Sequence, residues 1–202
     1  MPTPAHKGNT LKFTPKELIA LGIFTAVYTV IYMAFNMLGA VAPILQLVGA
    51  TLAALLNGIT FMLFLTRVRH AGLITLMALL LGILVTIAGH HPISIVTALV
   101  AGIAADVIAS RGGYRATVPT VVAYGVFNLW VSGGYLPLLF MRDSVLSEYR
   151  RQMGDQWADA FNALFSPAVI ILLIIGTVVV GMIGGWIGRR ALSKHFERAG
   201  LA

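Results

Sequence analysis

The polar residues that could do chemistry fall into one loose constellation. His90 and His91 stand between Gly89 and Pro92, and Ser94 and Thr97 follow one helical turn apart. Asn36 and Gln46 flank the stretch Met37 to Leu45, and Asn128, Trp130, Ser132 and Tyr135 occupy an eight-residue window further on. Amides, hydroxyls, imidazoles and an indole are the groups that orient a small solute between helices. The same groups also serve as interhelical hydrogen-bond glue and as an aromatic belt, so each residue alone is explained by packing. Their clustering is what points to a pocket. Adjacent histidines point about 100° apart on a helix, which makes joint ligation of one metal by His90 and His91 the less favoured reading.

Asp106 is the sole acid inside an apolar run, five residues before Arg111. A carboxylate in such a place is a functional candidate by default. Its nearness to Arg111 and Arg115 favours a structural ion pair with Arg111 over a proton relay. No P-loop, HExxH or GxSxG pattern is present, and Ser132-Gly133-Gly134 lacks the flanks of a serine-protease nucleophile loop. The chain is therefore expected not to be an enzyme and to need no cofactor. With no cysteine, disulfides and thiolate metal sites are excluded, and no metal site is expected.

These residues must be positioned by elements that cross a membrane. Of the 202 residues 58% are hydrophobic and 10% charged, with a mean hydropathy of +0.90, whereas a soluble domain carries about 25% charged residues. Six apolar runs, near Leu18 to Leu38, Pro43 to Leu65, Ala71 to Gly89, Pro92 to Ser110, Thr117 to Phe140 and Ser166 to Ile187, approach the ~20 residues that cross the bilayer's hydrocarbon. The first is longer than a signal-peptide core of roughly 7–15 residues, although Ala40-Val41-Ala42 mimics a cleavage site, so it is read as a retained span. The expected fold is an all-α integral membrane protein. It is a six-transmembrane-helix bundle over residues 17–190, with cytoplasmic tails over residues 1–16 and 191–202.

Charge sets the orientation. The net charge of +7 would suggest nucleic acid in a soluble protein, but with both termini inside, eleven of the fourteen Lys and Arg fall on the cytoplasmic side. Lipid, not nucleic acid, is the expected surrounding partner. Arg142, Arg150 and Arg151 alone fall outside, in the long connection Met141 to Phe165, where Asp143, Glu148, Asp155 and Asp159 balance them. That connection, with Tyr149, Trp157 and Phe161 among its charges, reads as an amphipathic helical cap. The constellation above then lies towards the outer face. Small residues at helical spacing, Gly22 with Ala26, Gly49 with Ala53, and Gly181, Gly184, Gly185 and Gly188, permit close helix approach.

The order and spacing of several segments resemble the Trep_Strep family, also called the MptD family, of substrate-binding S components of energy-coupling factor transporters. The segments are Lys16-Glu17-Leu18, Arg67, Gly89-His90, Ala101-Gly102-Ile103-Ala104-Ala105-Asp106 before Gly112-Gly113-Tyr114, and Phe127-Asn128-Leu129-Trp130 before Tyr135-Leu136-Pro137. The resemblance covers nearly the whole chain. It implies a bundle in a bacterial cell membrane that captures a vitamin, tetrapyrrole or metal chelate at its outer face. Import would proceed with a transmembrane coupling subunit and two ATPase subunits, after toppling of the bundle in the membrane. It also implies docking through small residues of the first span, where this chain has Gly22 and Ala26 in place of two alanines. A self-sufficient secondary transporter or channel is the alternative, and the sequence offers it only Asp106, off centre, for ion coupling.

Overall fold

The computed structural model describes residues 13–67 and 70–198, with side chains described up to residue 193. The described residues are helical and contain no strand. The long helices are α1 (Pro15–Asn36), α2 (Pro43–Leu65), α3 (Leu73–Ile87), α4 (Ile93–Ser110) and α5 (Thr117–Phe127). A 3₁₀ segment, Asn128–Gly134, continues α5, and the short helices α6 (Pro137–Phe140), α7 (Arg142–Met153) and α8 (Asp155–Leu164) lead to the long α9 (Pro167–Arg198). Proline opens α1, α2, α6 and α9, where its missing N–H costs nothing and its fixed φ favours the helix. Thr14 adds a capping box to α1: its hydroxyl accepts from the Glu17 N–H at 3.3 Å, and the Glu17 carboxylate accepts from the Thr14 N–H at 3.0 Å.

Four segments are long and apolar enough to cross a membrane: Pro15–Ala40, Pro43–Leu65, Ile93–Ser110 and Pro167–Ser193. The other two expected spans are altered. α3 has 15 residues, about 22 Å of helix, and residues 117–134 change from α to 3₁₀ geometry at Asn128. Gly133 and Gly134 give that segment its exit, since two adjacent glycines disfavour further helix, and Pro137 then opens the short α6. At the other terminus α9 runs unbroken through Arg198, so the segment expected as a tail from residue 191 starts as helix. The expected cap is present as α7 and α8, joined at Gly154 with φ +87°.

α2 packs along α9, α3 along α4, and α5 against both α4 and α9, with α1 laid over α2. Glycines make the closest approaches. A Cβ on Gly58 would lie 2.1 Å from the Gly184 carbonyl oxygen, and one on Gly49 would lie 2.1 Å from that of Phe35. The aromatic core lies where α1, α2 and α5 meet, with Phe61 4.9 Å from both Tyr124 and Phe127, and Tyr28 5.7 Å from Phe127. One face of α1 stays outside this packing: Ile19, Ile23, Val27 and Val30 are exposed, and nothing lies within 4 Å of a Cβ built on Gly22.

Asp106 corrects the expected pair with Arg111. The carboxylate is buried and accepts from the Gly72 N–H at 2.7 Å, the Thr75 N–H and hydroxyl at 3.2 and 3.0 Å, and the Tyr114 hydroxyl at 2.7 Å. Arg111 is exposed and forms no ion pair with it. Residues five apart on a helix differ by about 140° in direction, so the two side chains leave α4 on different faces. Tyr114 returns to the carboxylate through consecutive left-handed residues, Gly113 at φ +57° and Tyr114 at φ +60°.

Candidate functional site

At the cap end of the bundle a cleft of about 620 Å³ opens between the α1–α2 connection, the α3–α4 turn and the α7–α8 hairpin. Asn36, Gln46, His90 and His91, four of the residues expected to bind a solute, line it together. Three connections distant in sequence thus converge on one space. His91 is exposed, and its Nδ1 accepts from the Ile93 N–H at 3.2 Å, which fixes the ring at the start of α4. His90 is half-buried, and burial lowers its pKa, a shift partly opposed by a backbone hydrogen bond with Val85. At neutral pH the cleft therefore holds a neutral imidazole. Because the folded chain resists His90 protonation, stability is full above pH ~6.5 and declines as pH falls below it, while the unfolded chain takes up the proton. Melting temperature in detergent is expected to fall between pH 6.5 and 5.5, and His90→Gln to remove part of that fall.

The hairpin adds Glu148, Tyr149, Arg151, Gln152 and Trp157 to the lining. The sequence placed these residues in an amphipathic cap but not in the site. Aromatic and charged residues at helical spacing mark the segment as amphipathic, but that pattern does not tell a face laid on lipid from one that covers a cleft. Trp157 Nε1 donates to the Gly39 carbonyl at 3.0 Å, seating the hairpin on the α1–α2 connection. A ring ladder ties it to the bundle: Trp157 stacks on Phe161 at 5.1 Å, Phe161 on Phe165 at 4.2 Å, and Phe165 on Tyr135 at 5.7 Å. Hydrogen bonding to Gln152, then the charge of Arg151, holds the Glu148 carboxyl below its usual range, so it is an anion at the cleft rim.

Arg142 is the hinge strut of this roof. Its Nε donates to Asn162 Oδ1 at 2.8 Å and its Nη2 to the Asn162 and Phe165 carbonyls at 2.9 and 2.8 Å, capping the C-terminal end of α8 with a cation. A lysine ammonium cannot reproduce that planar fork. Arg142→Lys and Arg142→Ala are both expected to loosen the hairpin while the bundle stays folded. The check is hydrogen exchange, with protection lost over residues 142–165 and retained in α2 and α9.

The remaining expected site residues lie elsewhere. Trp130 is 2% exposed and packs on Tyr32 at 4.7 Å, so it belongs to the core. Ser94 is buried where Gly133 presses on α4, since a Cβ on Gly133 would sit 2.4 Å from the Ser94 Cα. Asn128 and Tyr135 line a second, smaller cavity inside the bundle. Asn128 donates to the Tyr124 carbonyl at 2.7 Å, bonding the last turn of α5 at the point where the 3₁₀ segment begins. No group of three or more His, Asp or Glu side chains converges as a metal site among the described residues.

No curated protein and no solved structure matches the chain. A family model does match, over residues 15–198, and its span takes in every helix from α1 to α9, the roofed cleft and the Asp106 cluster. The chain therefore belongs to the Trep_Strep family, described as hypothetical bacterial integral membrane proteins.

Proposed function

We propose that this membrane protein is the solute-binding S component of an energy-coupling factor importer, a six-span bundle with both termini in the cytoplasm. The observation that carries the reading is the cleft under the α7–α8 roof, where Asn36, Gln46, His90 and His91 meet the Tyr149 and Trp157 side chains. A roofed space of about 620 Å³ with amides, imidazoles and aromatic rings suits a micronutrient of the vitamin, tetrapyrrole or metal-chelate class. The exposed face of α1 around Gly22 and Ala26 supports a coupling subunit as partner: small residues there admit a second helix at close range. The chain carries no nucleotide-binding motif, in keeping with energy supplied by two ATPase subunits.

The test is purification of the full chain in detergent and mass spectrometry of any bound small molecule. A stoichiometric solute is expected, retained at least tenfold less well by Gln46→Ala and His91→Ala proteins of unchanged melting temperature. Transport of solute into liposomes by the chain alone would sink the reading and establish a self-sufficient transporter. Because the chain lacks cysteine, single cysteines at Ser144 and Thr66 report orientation directly. Impermeant reagents should label the first from outside the cell and not the second.

A further inference from the structure

The second cavity lies between α1, α2, the 3₁₀ segment and α9, opens to the side of the bundle beside the exposed Thr51, and has a volume of about 130 Å³. That volume is close to the ~150 Å³ of an engineered apolar cavity that holds one benzene. Its wall includes Tyr28, Tyr32, Asn57, Asn128 and Thr177 and contains no Asp, Glu, His, Lys or Arg. A charged guest would lose its hydration with nothing to replace it, so only an uncharged one fits.

Two features of the wall ask for an occupant. Asn57 is 1% exposed, and its Nδ2 donates to the Tyr28 carbonyl at 3.2 Å. Its Oδ1 is buried and accepts no hydrogen bond from the protein. A buried amide oxygen left in that state is destabilising, and most buried polar groups find a partner. No hydroxyl of the wall bonds to it, and those of Thr51 and Thr177 donate to their own helices, to the Leu47 and Ile174 carbonyls, each at 2.8 Å. The second feature is Gly176, which lines the cavity and has nothing within 4 Å of a built Cβ, so it leaves open space where the other glycines of α9 are pressed against neighbours.

We propose that this cavity is a binding site for a small uncharged aromatic molecule, or the ring end of a larger one, that donates an N–H or O–H to Asn57 Oδ1. The tyrosine rings of the wall supply the flat apolar contact, and the unpaired Asn57 Oδ1 selects for a donor. The site stands independently of the importer reading, since it needs neither the roofed cleft nor a partner subunit.

The test uses the purified full chain in detergent with 4-fluorophenol as probe, fluorobenzene as its donorless counterpart and 4-fluorobenzoate as its charged one, followed by fluorine NMR. A saturable protein-bound signal absent from empty micelles is expected for 4-fluorophenol, about tenfold weaker for fluorobenzene and missing for 4-fluorobenzoate. Gly176→Leu fills the space without meeting backbone and is expected to abolish the signal with no drop in melting temperature. Ala50→Leu fills the same cavity from α2 and serves if the first variant does not fold. Equal binding of fluorobenzene would overturn the donor requirement, and with it the role of Asn57. A 4-fluorophenol signal that survives both filled variants, or no saturable signal in the wild-type chain, would overturn the site.

Discussion

Gly58→Val is expected to yield no folded monomer, whereas Gly22→Val, in the neighbouring helix, is expected to fold as the wild type does. The contrast follows from what each new side chain would meet. At Gly58 the Cβ falls 2.1 Å from the oxygen and 2.2 Å from the carbon of the Gly184 carbonyl, both backbone atoms that no rotamer change can move. Relief requires α2 and α9 to separate. The contact is reciprocal: a Cβ on Gly184 meets the Ala54 oxygen at 2.6 Å, and one on Gly188 meets the Gly58 oxygen at 2.4 Å. Separating the helices would strip the packing along a whole face, including the Tyr124 hydroxyl, which donates to the Ala54 carbonyl at 2.6 Å beside the contact. Overpacking of a side chain costs about 1–3 kcal/mol, but a backbone clash falls in the tail above ~4–5 kcal/mol. Size-exclusion profiles and thermal melts in one detergent decide the matter. A monodisperse Gly58→Val protein melting within a few degrees of wild type would show that α2 and α9 are not packed backbone to backbone. On the proposed importer reading, Gly22→Val should also fold and yet lose association with a coupling subunit.

Much of this architecture was legible in the sequence, and the reasons are physical. Apolar runs near 20 residues were enough to place the long helices, and the aromatic and charged residues of the long connection were enough to place the cap, without tertiary information. The glycines of α9 were visible as a helical stripe, but their partner Gly58 was not, since a single glycine within an apolar run has no periodic signature. The site was half legible. Asn36, Gln46, His90 and His91 converge because connections at one end of a bundle must be neighbours, and alternation of helix direction is enough to predict that. Depth is readable from a sequence but facing is not. Trp130 and Asn128, in the 3₁₀ segment, turn into the core and the inner cavity rather than into the cleft. The roof escaped for another reason: an amphipathic segment satisfies its apolar face equally well on lipid or on protein, and only contacts such as Trp157 to Gly39 distinguish them.

Asp106→Ala should be the most damaging single polar substitution in the chain, costing about 3 kcal/mol or more of stability. α3 begins at Leu73 behind a Gly72 that offers no side chain to cap it. Asp106 reaches across from α4 to do so, accepting from the Gly72 and Thr75 N–H groups with Oδ2. An anion at a helix N-terminus gains from the helix dipole as well as from the two N–H donors. Oδ1 meanwhile holds the Tyr114 hydroxyl at 2.7 Å, fixing the left-handed turn between α4 and α5. Truncation removes all four hydrogen bonds at once and leaves two backbone N–H groups without an acceptor where water is scarce. Asp106→Asn separates charge from geometry: its carbonyl can still cap α3, and its amide can donate to a Tyr114 hydroxyl that turns to accept. It should therefore recover about half the loss. Tyr114→Phe, which removes a single hydroxyl, is expected to cost about 1–2 kcal/mol, and adding it to Asp106→Ala should cost little more, because the two share one bond. If Asp106 instead served proton movement, Asp106→Asn would keep wild-type stability and lose transport. Equal melting temperatures for wild type and Asp106→Ala would reject the cross-helix cap altogether.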